Sequence, residues 1–160
     1  METTYKLEKL VWSDNDFDQM GWHDSKVYAI AFDDENFQFM LDIDYIFQWI
    51  HPQEGETYFK FWVSPVTLVF ENVWDLNINL DSNCRLEINN IQRCNPEKPK
   101  NADFVNNRTQ YDWLVETQQG EIVFKSVGFK QYIRQEPILQ TAQAIEFKKR
   151  GGISFAIQGT

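Results

Sequence analysis

The sequence predicts an all-β, mostly antiparallel fold: a β-sandwich or a partly closed barrel, with at most one or two short helices. Three observations carry that expectation. Along "NFQFMLDIDYIFQW" the positions Phe37, Phe39, Leu41, Ile43, Tyr45, Phe47 and Trp49 are apolar, while Gln38, Asp42, Asp44 and Gln48 interleave. A period of two marks a strand with one buried face. Turn-forming clusters recur at short intervals, and short connections join antiparallel neighbours. Finally, Ile46 and Trp62 lie opposite the main apolar stripes and "KVYAIAF" is apolar on both faces, so parts of the sheet must be covered on both sides.

Taken in order, "SKVYAIAF" reads as a strand that turns at "FDDEN" (32–36) into the long alternating run, which ends at "HPQEGE" (51–56). "YFKFWV" follows, with Phe59, Phe61 and Val63 opposite Lys60, and then "PVTLVF". In "DLNINL", Leu76, Ile78 and Leu80 point one way and Asp75, Asn77 and Asn79 the other. The turn "LDSNC" (80–84) leads to "CRLEINNI". The segment "NPEKPKNADFVNNRTQ" (95–110) has two prolines and no periodicity, so a long exposed loop is expected there. "DWLVET", the turn "TQQGE" (117–121) and "GEIVFKSVGF" make a C-terminal hairpin. "PILQTAQAIEFKKR" (137–150) suits either a short helix starting at Pro137 or extended chain, and after "RGG" (150–152) the run "GISFAI" reads as a closing strand. With no internal repeat or low-complexity tract, residues 1–160 are expected to form a single β-rich domain.

A chain of 160 residues with 42% hydrophobic content can bury roughly 70% of its unfolded surface in one core. Its formal net charge of −9 disfavours nucleic acid and anionic membranes as partners, because phosphates require neutralising cations. A basic protein or a cationic ligand suits it better. No apolar run reaches the ~20 residues of a membrane span, and "METTYKLEKLVW" has neither a basic nor a continuous apolar leader segment, so a cytoplasmic location is expected. Cys84 and Cys94 are read as reduced thiols, although their spacing also permits a pair across a hairpin. Two cysteines and two histidines without close spacing do not assemble a zinc set, and no cofactor-binding motif is present, so no cofactor is expected.

The candidate chemistry centres on two short motifs. Asp42 and Asp44 are two residues apart on one strand, which puts their carboxylates about 6 to 7 Å apart on one face. That separation suits a cation site or an acid/base pair, and it equally describes an ordinary solvated face. His23-Asp24 stands just before a strand. It can be a turn in which Asp24 holds backbone N–H groups, or a general base or metal ligand oriented by Asp24 or Asp42. A hairpin centred near Asp34 would set Asp24 beside Asp44 and Lys26 beside Asp42, and two adjacent carboxylates predict a raised pKa or a bound cation. No Ser nucleophile motif, Gly-rich phosphate loop or Cys-His neighbour accompanies them, so binding is expected in preference to catalysis.

Six Trp and thirteen Phe exceed ordinary usage, and most must be core, leaving a few such as Trp62 to stack on a ligand or fill a partner's pocket. "GWHDSKVYAIAF", "LDIDYIFQW" and "FWVSPVTLVFENV" together resemble a group of small bacterial proteins of unknown function over about the first half of the chain. The resemblance implies a bacterial cytoplasmic protein and carries no activity. Small acidic, aromatic-rich proteins of this kind also look like the immunity partners of bacterial toxins. Two expectations follow. One is an acidic protein-binding module that inhibits a basic partner; the other is a ligand- or metal-binding β-sandwich, with weak catalysis as one form of it, around His23, Asp24, Asp42 and Asp44.

Overall fold

This computed structural model describes residues 4–157. In chain order its strands are β1 (Val11–Ser13), β2 (Ser25–Asp33), β3 (Gln38–Ile50), β4 (Lys60–Glu71), β5 (Trp74–Leu80), β6 (Leu86–Glu97), β7 (Gln110–Thr117), β8 (Gly120–Ser126), β9 (Gly128–Ile133) and β10 (Ile138–Gln140). Two 3-10 helices, Asp14–Gln19 and Ala102–Val105, are the described helical elements. The fold is therefore all-β, and every strand joins one antiparallel sheet in the order β1-β9-β4-β3-β2-β6-β7-β8-β5, with β10 also pairing β4. The sheet is not closed into a barrel.

Instead it folds over on itself. Phe70 of β4 meets Trp113 of β7 at 5.3 Å and Phe124 of β8 at 4.7 Å, and Phe39 of β3 meets Phe124 at 5.5 Å, although these strands are far apart in the sheet order. The inward side chains of the two halves thus form one core, with Phe39, Leu41, Ile43, Val66, Leu68, Ile88, Val115, Ile122 and Phe129 fully buried. Aromatic edge-to-face contacts favour this interdigitation, and the polar tips find partners: Trp113 Nε1 donates to the Ser126 carbonyl and Trp22 Nε1 to Gln131 Oε1, both at 2.9 Å.

Several boundaries depart from the sequence reading. "YFKFWV" and "PVTLVF" are one strand, β4, running through Pro65. The Pro65 carbonyl accepts Arg134 N–H at 3.0 Å in the gap between the stretch paired with β10, ending at Val63, and the stretch paired with β9, starting at Val66. A residue's N–H and C=O point to the same side of a strand, so the missing proline donor falls in that gap and leaves the β3 ladder intact. "GEIVFKSVGF" is two strands, broken where Gly128 takes φ +146°; a Cβ there would lie 2.3 Å from an Asp14 carboxylate oxygen. The 95–110 loop is shorter than expected, since β6 continues to Glu97, and it is clasped by a reciprocal amide pair between Asn72 and Asn101 at 2.8 and 3.0 Å. Residues 137–150 contain β10 and then turns, without a helix, and "GISFAI" crosses the sheet without joining a ladder. Cys84 and Cys94 are free and exposed.

Gly120 provides a test of this topology. It has φ +138°, and a Cβ would sit 2.1 Å from the Asn79 carbonyl oxygen across the β5–β8 pairing. Gly120→Ala is expected to destabilise the fold by about 2 kcal/mol in chemical denaturation and to speed hydrogen exchange in β5 first. Unchanged stability would contradict that pairing.

Candidate functional site

The sequence singles out His23, Asp24, Asp42, Asp44 and Trp62, and the fold divides them among three places. Asp42 and Asp44 occupy the outer face of β3, the side away from Leu41 and Ile43, yet both are 0% exposed. The solvated face and the open cation site expected there are both overturned, because residues 141–157, following β10, lie across this face as a strap. Arg150, 2% exposed, enters between the two carboxylates: its Nη2 and Nη1 donate to the two oxygens of Asp42 at 2.6 and 3.0 Å, and its Nε to Asp44 at 3.0 Å. Arg134 Nη2 adds a 2.7 Å bond to Asp42. The strap backbone completes the set, with Ser154 N–H on Asp42 at 2.9 Å and Ile145 N–H on Asp44 at 2.7 Å.

The surrounding chain is shaped for this. A bulge leaves Tyr28 unpaired between Val27↔Ile43 and Ala29↔Asp42, so its ring reaches the strap. There its hydroxyl donates to the Ile145 carbonyl at 2.8 Å and the Arg150 guanidinium carbon lies 3.7 Å from its ring centroid. Beside the ion pairs, Ile145 packs with Ile46, Phe61 and Val63 in a small second core. Burial pushes the Asp44 carboxyl above its usual range and the Tyr28 hydroxyl up as well; Arg150 draws both part of the way back. Two aspartates matched by two arginines, with backbone donors on the remaining lone pairs, form a buried network of the kind that holds two segments in one register.

His23 and Asp24 lie elsewhere. The β2–β3 register matches Val27 with Ile43, so the expected Asp24–Asp44 and Lys26–Asp42 juxtapositions do not form. His23 Nδ1 is 3.1 Å from Asp24, but the imidazole is 68% exposed and its ring faces Trp49 at 6.0 Å. Asp24 takes φ +65°, its N–H donates to the Ile88 carbonyl at 2.9 Å, and its carboxylate accepts Gln143 Nε2 at 2.7 Å. The carboxylate beside it belongs to Glu87 of β6, whose pKa is raised by burial and by Asp24. A like-charge pair thus exists, with a partner from another strand. Trp62 is separated from Ile46 as well: the bulge between Ile46 and Gln48 puts Ile46 with Val63 under the strap and Trp62 on the opposite side, against Tyr5 at 5.7 Å. Among the described residues no group of three or more His, Cys, Asp or Glu side chains is placed to hold a metal ion.

The uncovered surface lies on the other half of the sheet. On β6, β7, β8 and β5 the outward side chains form cross-strand rows: Gln92, Leu114, Val123 and Asn77 in one, and Asn90, Glu116, Glu121 and Asn79 in the next. No strap crosses them; Val123, Glu116 and Glu121 are exposed and Leu114 is half-buried. Glu116 and Glu121 stand directly opposite each other, and among the described residues neither has a cationic partner. The one lysine in the adjoining row, Lys125, is already held by Asp112 at 2.7 Å and Glu97 at 3.1 Å. Sequence reasoning named none of these residues. The alternation in "DWLVET" and "GEIVFKS" places the two glutamates outward, but only the pairing register makes them neighbours.

Two measurements test these assignments. Arg150→Met leaves the buried Asp44 without a cation and Asp42 with Arg134 alone, and is expected to cost about 3 to 5 kcal/mol, of which adding Asp44→Asn restores a part; a loss below about 1 kcal/mol in urea denaturation would contradict the network. Glu87 binds its proton more tightly in the folded state than in the unfolded chain, where its ordinary pKa is about 4.3. Its contribution is therefore present at low pH and stability falls as pH rises from there through the raised folded pKa. Glu87→Gln is expected to flatten that slope in denaturation curves taken across the acid range; an unaltered slope would refute the Asp24–Glu87 coupling.

No family model matches this chain, and neither a curated protein nor a solved structure matches it.

Proposed function

We propose that this protein is a binding module for a basic protein, and that the outer face of β6, β7, β8 and β5 is its docking surface. The observation that carries the reading is the Glu116–Glu121 pair. Like charges directly opposite on neighbouring strands cost a few tenths to about 1 kcal/mol, and among the described residues none on this face relieves them. A surface that retains such a cost suits a partner that supplies the cations. Leu114 and Val123 in the adjoining row give the apolar centre, and Asn77, Asn79, Asn90 and Gln92 give a hydrogen-bonding rim, which is the anatomy of a protein interface. The net charge of −9 adds long-range steering toward a basic surface. The compositional likeness to toxin-immunity proteins agrees with an inhibitor of a basic partner, and a bacterial, cytoplasmic setting belongs to the same proposal. No described helix is long and apolar enough to cross a membrane.

The alternative, a ligand or metal site around His23, Asp24, Asp42 and Asp44, has little support, since Arg150 and the strap fill the space beside the two aspartates and Asp24 lies apart from them.

A lysine- and arginine-rich peptide titrated into the labelled protein is expected to shift the amides of Leu114, Glu116, Glu121 and Val123 more than others. Glu116→Lys with Glu121→Lys should abolish that localised response, whereas Glu54→Lys with Glu136→Lys, equal in charge change, should leave it in place. The affinity should weaken from low salt to 0.1 M, where screening acts over ~10 Å. Shifts scattered over the whole acidic surface would contradict a dedicated face. A second consequence concerns stability: Glu121→Gln is expected to raise it by about 0.5 kcal/mol while weakening the peptide, and a destabilised variant would argue against the like-charge cost.

A further inference from the structure

A separate cavity opens at the mouth of the folded sheet, where the 3-10 helix Asp14–Gln19 meets the ends of β6, β7 and β9. It has a volume of about 640 Å³, within the range of small-molecule sites. Arg93 lines it from β6, directly across from Trp113 on β7. Its guanidinium carbon lies 4.6 Å from the ring centroids of both Phe17 and Tyr111 and 5.7 Å from that of Trp113. These rings hold the guanidinium by cation–π attraction, which supplies no hydrogen-bond acceptor for its five N–H donors. Among the described residues none accepts a hydrogen bond from Arg93 or pairs with it, although the side chain is only partly exposed. A half-buried guanidinium with five donors and no acceptor is an unfinished arrangement.

The other charges in the cavity contrast with it. Arg108 is already bonded to Glu71 at 2.9 Å and to Asp14 at 3.2 Å, and Lys130 lies 3.9 Å from Glu71. Among the cations that line the cavity, Arg93 is therefore the one without an internal counter-charge among the described residues, and Asp14, Asp18 and Glu71 oppose an anion in proportion to its charge, so a single carboxylate is favoured over a doubly charged ligand. The half-buried ring of Tyr111, backed by the buried Val127 and Phe129, supplies an apolar wall.

We infer that this cavity binds a small ligand with a single carboxylate on an apolar or aromatic body, the carboxylate pairing in bidentate fashion with Arg93 and the body resting on the ring of Tyr111. The geometry matches, because the planar fork of a guanidinium presents two parallel donors to a carboxylate, and a fork already immobilised by stacking loses little freedom on binding. This site is independent of the acidic sheet face, which lies on the outward side of the strands whose inward side carries Arg93 and Trp113.

The test uses sodium benzoate as probe, with benzamide and inorganic phosphate as comparisons at constant ionic strength, read by tryptophan fluorescence and by the melting temperature. Benzoate is expected to give a saturable change; benzamide, of the same shape without charge, and phosphate, used at mildly alkaline pH where it is mostly doubly charged, should give none. Arg93→Met keeps the stem packed against the rings and should weaken benzoate by at least about tenfold, the loss of a charge-assisted hydrogen-bonded pair. Arg93→Lys keeps the charge without the fork, and should fall between the two. Equal benzoate affinity in the parent and Arg93→Met would overturn the proposal, as would the absence of any saturable response or an affinity for phosphate matching that for benzoate. The binding of a basic peptide to the Glu116–Glu121 face should be the same in the parent and in Arg93→Met, so the failure of either reading is distinguishable from the failure of the other.

Discussion

Two aspartates in the middle of a strand buried on both faces are tolerable only if their charges are answered inside the protein, and Arg150 answers them. A buried carboxylate without a partner carries a penalty of several kcal/mol, more than a fold of this size can absorb twice. Much of the second face of the β2–β3–β4 region follows from this requirement. The bulge at Tyr28 aims a ring under the Arg150 guanidinium, and the Ile145 and Ser154 amides turn toward the carboxylates. Arg134 adds a second cation at the point where β9 ends, and Thr67, paired in register with Asp42, accepts from Arg134 at 2.9 Å while donating to the Ala156 carbonyl at 2.7 Å. A stretch with little regular secondary structure is thereby held as firmly as a strand.

The strap makes the two halves of the sheet unlike. One outer face is sealed by ion pairs and by the Ile46, Phe61, Val63 and Ile145 cluster, while the other presents Leu114 and Val123 beside two opposed glutamates to solvent. Both faces carry two neighbouring acidic residues, along one strand on the first and across two strands on the second. On the first the chain supplies its own arginines, and on the second it supplies none. That contrast supports the reading of the second face as a surface whose cations come from another molecule. It also explains why a chain so rich in acid folds: its two most deeply buried carboxylates are neutralised internally.

The strands and their alternation were legible because period-two patterning is a local property, and "NFQFMLDIDYIFQW" does place Leu41, Ile43 and Tyr45 in the core. The role of Asp42 and Asp44 was not, because their partner stands 108 and 106 residues away and no local pattern encodes such a meeting. A signal for their burial was nevertheless present: Ile46 and "KVYAIAF" already required a cover on that face, and the aspartates share it. The register of β2 on β3 departs from a hairpin centred near Asp34 at the turn itself: Asp33 pairs with Gln38, which centres the hairpin between Glu35 and Asn36, and the Tyr28 bulge recovers only one residue of that offset, so Asp24 stays apart from Asp44. The Glu116–Glu121 pair was equally invisible before the β7–β8 register was known, although each glutamate alone alternates outward as the pattern requires.

The strap's dependence on Arg150 is tested most directly by native-state hydrogen exchange at the Ile145 and Ser154 amides. Both lie in segments without ladder hydrogen bonds, and both donate to the buried aspartates. The account predicts that they exchange as slowly as the core amides of β3 and β4, through global unfolding alone, and that Arg150→Met releases the two together while the Leu68 and Val115 amides stay protected. Exchange of Ile145 and Ser154 at the rate of an exposed loop in the parent protein would contradict it.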